Sequence, residues 1–342
     1  MMSGLPAPHR DIRRRVFTTV AGFGSLLLAT CVLAPLAGST PIDLGRALDS
    51  SIPFAENVDL QILVIARVPR VIASVLVGAA LAAAGVVLQA LLRNPLATPF
   101  TLGVSAGASL GAMLAISTGA AVAFGPFSSV PLASLAGAVV AAGIVYALAT
   151  RPGHVMSTSV LLLAGVTLNS FFSALIMMAQ YVSDFAQVYS AFRWLMGDLD
   201  VGGFGPILAA LPLLIVAFAL FLALPASLNL LSLGDEAAAA RGVDVARAQR
   251  LAFASATLAT SAAVSLAGPI GFIGIVVPHL VRLLVGVDHR IVLPAAALFG
   301  GTFLVWCDLI SRMLLAPVEI PVGVVTAMIG GPFFLWLLVT RG

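Results

Sequence analysis

Residues 66–92 read ARVPRVIASVLVGAALAAAGVVLQALL, and this stretch decides the fold class. From Val71 to Leu92 no residue is charged, and roughly 20 apolar residues are what an α-helix needs to cross the hydrocarbon core of a bilayer. Apolar stretches of similar length recur along the chain. A transmembrane β-barrel would instead show segments of about ten residues with alternating polarity. The pattern therefore predicts an all-α membrane protein.

The composition supports the same class. Of the 342 residues, 61% are hydrophobic and 9% are charged, and the mean hydropathy is +1.12. A soluble domain carries roughly 25% charged residues, so this chain has too few polar groups to cover a water-soluble globule. We expect one polytopic bundle rather than two soluble domains.

The types of basic and metal-binding residues exclude some chemistry. All 17 basic residues are arginine, whereas the Walker A phosphate loop and Schiff-base catalysis both need a lysine. The two cysteines, Cys31 and Cys307, match neither a C-x-x-C nor a zinc spacing, so we expect them to pack as small apolar residues. No cluster of His, Cys, Asp and Glu resembles a metal site. No catalytic residue, metal or other cofactor is predicted.

Hydropathy predicts about ten membrane-spanning helices. They lie near residues 16–38, 68–92, 101–120, 130–150, 156–181, 206–226, 249–268, 273–287, 291–313 and 319–340. The eighth is short, and the sequence GPIGFIG at 268–274 leads into it. Glycine and proline there predict a broken segment, which is tolerated where the backbone is packed inside protein. Residues 1–15 are interpreted as a cytoplasmic tail and residues 16–342 as a single transmembrane domain.

The distribution of arginine predicts the orientation. Cytoplasmic loops carry an excess of positive charge, and a cytoplasmic N-terminus would place twelve arginines inside and five outside. The inner set is Arg10, Arg13, Arg14, Arg15, Arg93, Arg151, Arg241, Arg247, Arg250, Arg282, Arg290 and Arg341, and the outer set is Arg46, Arg67, Arg70, Arg193 and Arg312. Both termini are then cytoplasmic, and the two arginines of ARVPR face outward against the general trend.

The longest internal polar stretch is LGDEAAAARGVDVARAQR at 233–250, which is predicted to form two short helices. Asp235 and Glu236 suit the positive N-terminus of the first helix, and Gly242 is expected to end it in a left-handed conformation. Asp244 is a typical N-cap for the second helix. An ordered element of this kind on the cytoplasmic face suggests a docking surface, although a solvated connector remains an alternative.

Five sequence blocks, taken in order, resemble the FecCD-type permeases of iron-chelate and cobalamin ABC importers. The blocks are residues 67–112, 157–166 (STSVLLLAGV), 228–245, 268–294 and 319–338. The resemblance covers nearly everything from residue 60 to the end. It implies a permease of about ten spans in the inner membrane of a bacterium, which pairs with a second copy of itself around a central path. Two ATPase subunits would bind on the cytoplasmic side and a soluble substrate-binding protein outside, with no nucleic acid partner.

The resemblance also implies roles for individual residues. Arg67, Arg70 and Arg312 match positions that meet glutamates of the binding protein, and arginine suits bidentate pairing with carboxylates. Snorkelling of Arg67 and Arg70 to the membrane interface is an alternative, as is pairing of Arg312 with Asp308, four residues earlier on the same helix. Contact with the ATPase is implied for Gly234, Asp235, Glu236, Ala239, Arg241, Gly242 and Val243.

Two further sets follow from the same resemblance. Asn94, Leu96, Thr158 and Ser159 match a gate at the cytoplasmic exit, while an ordinary turn ended by proline is the alternative for the first pair. Asn169, Ser173 and Met177 share one face of the fifth span and are implied to line the translocation path, unless Asn169 and Ser173 bond to neighbouring helices instead. His279 is expected to pack in the bundle rather than to bind a metal.

Three functions are compared. The first is an ABC importer subunit for a large metal chelate, namely haem, a ferric siderophore or cobalamin, with haem favoured among the iron chelates. The second is a proton-coupled secondary transporter that uses Asp308, because carboxylates inside a membrane are often functional; no second buried acid completes a relay. The third, an intramembrane hydrolase, lacks any supporting Ser/His or metal-dyad spacing.

Overall fold

The fold is that of a computed structural model, which describes residues 8–119, 123–124, 127–150 and 155–341. Arg151, Gly342 and residues 1–7 of the predicted tail lie outside the described residues. The remainder of that tail, residues 8–15, forms the beginning of the first helix.

The described chain is dominated by helices. They are α1 Pro8–Leu33, α2 Leu44–Ala47, α3 Val58–Gln61, α4 Val68–Leu91, α5 Val104–Ser117, α6 Ser129–Ala149, α7 Thr158–Val182, α8 Phe185–Leu195, α9 Gly205–Leu222, α10 Pro225–Leu231, α11 Asp235–Ala239, α12 Val245–Ala267, α13 Ile273–Val285, α14 His289–Met313 and α15 Val322–Arg341. Short 3-10 turns cover Ala34–Leu36 and Pro99–Leu102, and a π-helical segment covers Ile62–Arg67. Strands β1 (Ala123–Phe124) and β2 (Phe127–Ser128) form a small antiparallel ladder with Ala123 opposite Ser128.

Ten of these helical stretches are apolar. Seven are long enough to cross a membrane: Ile12–Leu36, Val58–Leu91, Ser129–Ala149, Thr158–Val182, Gly205–Leu222, Val245–Ala267 and His289–Met313. Three are shorter: Val104–Ser117, Ile273–Val285 and Val322–Trp336. The prediction of an all-α membrane bundle is confirmed. The eighth predicted span corresponds to α13, whose 13 residues extend only about 20 Å.

The start of the second span differs from the prediction. Helical structure begins at Val58 rather than near residue 68, and it continues through the π-helical segment into α4. The N–H of Val68 bonds to the carbonyl of Leu63, five residues back. Pro69 lies in the first turn of α4, directly after the π-helical segment. It follows a widened turn, where a missing N–H and a bulky ring are accommodated more easily than in a regular α-helix.

Helix α4 forms the centre of the bundle and packs against α12, α13 and α14. Its glycines permit very close approach: a Cβ atom at Gly78 would collide with the backbone of Gly300 in α14, and one at Gly85 with the backbone of Gly274 in α13. Such contacts stabilise membrane helices, since lipid supplies no hydrophobic drive between them. The small residues of the opening stretch thus place α4 in the protein interior.

Candidate functional site

Arg67 lies in the last turn of the π-helical segment, at the predicted outer end of the bundle, and is 5% exposed. Its Nη1 donates to the carbonyl of Pro35 at 2.9 Å, and its Nη2 donates to the carbonyl of Thr40. Pro35 lies in the 3-10 turn after α1 and Thr40 in the loop beyond that turn. The guanidinium group therefore joins the segment after α1 to the start of α4.

Arg70 lies one turn later and pairs with two carboxylates. Its Nε donates to Oδ1 of Asp308 at 2.8 Å, and its Nη1 donates to Oε2 of Glu319, also at 2.8 Å. Asp308 is completely buried on α14, whereas the Glu319 side chain is 43% exposed in the loop before α15. The bond from Ile320 N–H to Ser311 O, 3.0 Å long, holds this loop against the end of α14.

Arg312 also pairs with Asp308. Its Nε lies 3.0 Å from Oδ2 of Asp308, in an orientation unfavourable for a hydrogen bond. Its Nη2 has no hydrogen-bond partner among the described residues. The alternative pairing on one helix face is thus present in the structure. We call Arg67, Arg70, Asp308, Arg312 and Glu319 the arginine cluster.

The arginine cluster holds three guanidinium groups but only two carboxylates, so it carries one excess positive charge. All three predicted docking arginines are brought together, yet each is largely buried and contacts groups of its own chain. Sequence reasoning found the pairing of Asp308 with Arg312 from their spacing. It missed Glu319, because no sequence signal indicates that the loop before α15 folds back onto α4.

Residues 233–250, which we call the coupling segment, begin with the predicted short helix. Asp235 and Glu236 open α11, and Gly242 adopts a left-handed φ of 84°. Asp244 accepts from the N–H of Arg247 at 3.0 Å and caps the next helix. The helix after Asp244 was predicted to be short, and this prediction is wrong: it is α12, which continues to Ala267 and forms the seventh span. The N-terminal turns of α12 therefore join residues 233–250 rigidly to the membrane bundle.

The loop with the predicted gate residues Asn94 and Leu96 lies beside this segment. Arg93, which adopts a left-handed φ of 48°, pairs with Asp235 at 3.1 Å. Oδ1 of Asn94 accepts from the N–H of Leu96 at 2.9 Å, and Leu96 is 41% exposed.

The other two gate residues, Thr158 and Ser159, open α7 after the N-cap Ser157. Ser159 is exposed and Thr158 is half-buried. Within the described ranges of this single chain, no hydrogen bond joins either residue to Asn94 or Leu96.

The three predicted path residues of α7 divide into two kinds. Nδ2 of Asn169 donates to the carbonyl of Phe100 at 2.7 Å and ties α7 to the 3-10 turn before α5. Ser173 and Met177 are exposed in the single chain. Asn169 thus has the interhelical bond that was weighed as an alternative, and the other two side chains face outward from this copy.

His279 packs its ring against Phe333 with the ring centroids 5.9 Å apart. Among the described residues, no group of three or more His, Cys, Asp or Glu side chains is arranged to hold a metal ion. Cys307 is buried and Cys31 is half-buried, and both thiols are free.

The pattern of the FecCD transport family matches residues 26–340 of this chain. The chain belongs to that family. This FecCD permease is 46% identical over 275 residues to a cobalamin import system permease protein of Halobacterium salinarum, with 80% of this chain and 72% of the relative covered. It is 43% identical over 284 residues to a hemin transport system permease protein of Yersinia pestis, with 80% and 82% covered.

A solved structure of a metal-chelate type ABC transporter in an inward-facing conformation superposes with a TM-score of 0.79 at 31% identity. The superposition covers 95% of this chain and 99% of that chain. The fold and the sequence therefore agree over almost the whole length of the FecCD permease.

Family membership establishes the kind of protein. The FecCD permease is a multi-pass, non-catalytic subunit of an ABC importer for metal chelates, and ATP is hydrolysed on a separate ATPase subunit. It therefore works with an ATPase and a substrate-binding partner. The resemblance seen in the sequence is confirmed. The proton-coupled alternative is not supported, since the family consists of ABC importer subunits and Asp308 lies between two arginines rather than beside a proton relay.

Proposed function

We propose that the FecCD permease works as a homodimer in the inner membrane of a bacterium, with both termini in the cytoplasm. Each dimer moves a large metal chelate from the periplasm to the cytoplasm through a path between the two copies. The observation that carries this proposal is the exposed face of α7, which bears Ser170, Ser173 and Met177 together with the bulky Tyr181.

The mixed chemistry of this face argues for protein or water rather than lipid beside it. Hydroxyl groups inside a membrane usually face other helices or a polar cavity. The hydroxyls of Thr167 and Ser170 donate hydrogen bonds to carbonyls of α7 itself, so this face of α7 is only weakly polar. A weakly polar path wall that also contains Ser173 and the polarizable thioether of Met177 lets a large ligand pass without binding it tightly.

Two ATPase subunits are proposed to bind the dimer, one at residues 233–250 of each copy. Support comes from the rigid connection of α11 to α12 through the Asp244 cap, since a docking element transmits motion only if it is firmly attached. The exposed residues around Gly242 then contact the ATPase. Asn94 and Leu96, beside this segment, and Thr158 and Ser159 of α7 are proposed to close the cytoplasmic exit when the two copies meet.

The substrate-binding protein is proposed to dock above the arginine cluster. The excess positive charge of the cluster favours an approaching carboxylate, and Glu319 is the most exposed of its acidic members. A glutamate of the binding protein would replace Glu319 at Arg70, and Arg67 and Arg312 would supply further positive charge. Docking then exchanges one ion pair for another instead of burying an unpaired charge.

The experiment that tests the function uses proteoliposomes with the permease, its ATPase and its binding protein. We expect accumulation of chelate that requires ATP and does not change when a protonophore is added. Haem is the first cargo to test, and a Soret absorbance band in the spectrum of the purified binding protein identifies it. The spectrum of a siderophore or of cobalamin would identify that chelate as the cargo instead, and the proposed transport mechanism would stay the same. Accumulation without ATP that collapses with the protonophore would contradict the proposal and favour proton coupling through Asp308.

A further inference from the structure

Residues 281–290, VRLLVGVDHR, contain the end of α13 and the start of α14. In the structure they line a cavity of about 480 Å³ together with the end of α4, residues 93–95 and the end of α10. The cavity lies at the predicted cytoplasmic side, next to the coupling segment.

Arg282 is the unusual side chain of this cavity. Its Nη1 donates to Oε1 of Gln89 at 2.6 Å, and Nε2 of Gln89 donates in turn to the carbonyl of Gly274 at 2.9 Å. Gln89 is buried, so this chain of bonds fixes the guanidinium group at the cavity wall. A guanidinium has five N–H donors, and within the described residues the guanidinium group of Arg282 makes this one hydrogen bond.

The carboxylates near the cavity form hydrogen bonds or ion pairs with groups other than Arg282. Oδ1 of Asp288 accepts from Nδ2 of Asn229 at 2.7 Å and from the N–H of Arg290 at 2.9 Å, which caps α14. Asp235 pairs with Arg93. No carboxylate within the described part of the chain forms an ion pair with Arg282. A half-buried positive charge without a negative partner is costly, unless another molecule supplies the anion.

The rim of the cavity points to the source of that anion. Leu233, 61% exposed, and Val287, 75% exposed, both lie at its edge. Both belong to loops rather than to the spans, and Leu233 is the first residue of the coupling segment. Apolar side chains around a charged centre are typical of the energetically important part of a protein–protein interface, because they exclude water from the charge.

We infer that this cavity receives an acidic side chain of the ATPase subunit, whose carboxylate pairs with Arg282 while Leu233 and Val287 pack around it. The inference rests on the proposed function, since it deepens the proposed ATPase contact at residues 233–250. It adds a second attachment point, on α13 and the α13–α14 loop, to the one on α11. Motion of the ATPase would then act on α13 and α4 directly through the Arg282–Gln89 bond.

The absence of lysine from the chain makes a direct test possible. Arg282→Lys keeps the positive charge and introduces the only lysine, so a zero-length carbodiimide reagent joins this position to any carboxylate that contacts it. The complex with ATPase is treated in nanodiscs that contain phosphatidylserine, and the products are mapped by mass spectrometry. Arg290→Lys, in the first turn of α14 and outside the cavity lining, is the matched control, and the wild-type complex corrects for reaction at the N-terminal amine.

We expect Arg282→Lys to cross-link to one acidic residue of the ATPase and Arg290→Lys not to do so. A cross-link to phosphatidylserine, a cross-link within the permease, or none to the ATPase would overturn the inference. As a second measurement, Arg282→Gln should weaken binding of the ATPase to the permease by roughly tenfold or more, whereas Arg290→Gln changes it less than about twofold.

The melting temperature of each permease variant without ATPase shows whether it is folded. Unchanged affinity of folded Arg282→Gln also overturns the inference. If the ATPase does not bind even the wild-type permease, the proposed function fails. If the ATPase binds the wild-type permease, and binds the Arg282→Gln variant equally well, the contact at Arg282 is wrong while the proposed function stands.

Discussion

Helices α4 and α7 have almost the same length, 24 and 25 residues, and both are apolar enough to cross a membrane. Their surroundings differ completely. Nearly every residue of α4 from Ala80 onward is buried within the single chain, whereas α7 buries only Leu161, Ala164, Gly165, Phe172 and Ala179. Length and hydropathy thus identify a span but do not tell whether it lies in the interior or at an interface.

The two helices are also anchored differently. Charged or polar side chains hold both ends of α4, through Arg70 to Asp308 at one end and through Gln89 to Arg282 at the other. Among the described residues, one side-chain bond joins α7 to another element, from Asn169 to the carbonyl of Phe100. Substitutions around α4 should therefore change stability, and substitutions on the exposed face of α7 should change assembly and transport instead.

The largest effect is expected for Asp308→Asn, which removes the buried carboxylate shared by two arginines. Arg312 then loses the one carboxylate with which it forms an ion pair among the described residues, and loss of one partner from a buried pair costs roughly 3–5 kcal/mol. We expect a clear fall in the melting temperature of the solubilised permease. The double variant Asp308→Asn with Arg312→Gln should recover part of that loss, because the unpaired charge is gone.

The control for this prediction is Asp198→Asn, which breaks the exposed pair with Arg193 and should cost about 1 kcal/mol or less. Equal melting temperatures for Asp308→Asn and wild type would show that the arginine cluster does not hold α4 to α14.

The second prediction concerns the close approach of α4 and α13. Gly85→Ala places a methyl group where the backbone of Gly274 lies, so the two helices must separate. Overpacking of this kind typically costs about 1–3 kcal/mol. Gly143→Ala on α6 is the matched control, since nothing lies within 4 Å of its Cβ position. A fall in melting temperature for Gly143→Ala that equals the fall for Gly85→Ala would contradict the packing argument.

A smaller effect on stability is expected for Glu319→Gln, in the loop before α15 that contacts Arg70. The side chain is partly exposed, and pairs of that kind contribute about 1 kcal/mol or less. The binding protein, however, should bind the variant more tightly, because the docking glutamate of the binding protein no longer competes with Glu319 for Arg70. Affinity is measured by biolayer interferometry on nanodiscs. Weaker docking by Glu319→Gln would mean that Glu319 is itself part of the docking surface.

The spans were largely predictable because each depends on a local property, the hydropathy of about 20 consecutive residues. The exceptions show which information was missing. The second span was expected to begin near residue 68, but helical structure begins at Val58. A proline in a helix interior usually breaks the helix, and the π-helical segment before Pro69 accommodates it here. The second coupling helix was predicted to be short, because Arg247 and Arg250 interrupt the apolar pattern of what proves to be one continuous α12.

The arrangement of the candidate site was less predictable. The position of Asp308 relative to Arg312 is a property of one helix, so the spacing was sufficient to find it. The partners of Arg67 and Arg70 lie 27 to 249 positions away in sequence, and nothing in a single sequence indicates such contacts. The sequence therefore singled out three arginines that the structure places in one cluster, but it did not reveal that carboxylates of their own chain already neutralise much of their charge.

The smallest effect on stability is expected on the exposed face of α7. Met177→Cys replaces a side chain that is 68% exposed in the single chain, so the melting temperature should change by an amount equivalent to less than about 0.5 kcal/mol. The variant is made in a background with Cys31→Ser and Cys307→Ser and treated with a short bis-maleimide. Two copies should become cross-linked if α7 faces its counterpart across the proposed path.

Ala179→Cys is the matched control, because Ala179 lies on the same helix but is buried against its own chain. It should remain monomeric under the same treatment. Cross-linking of Met177→Cys should also block uptake of the chelate, since the reagent then occupies the path. If uptake is normal and Met177→Cys gives no more dimer than Ala179→Cys, the exposed face of α7 borders lipid rather than a second copy.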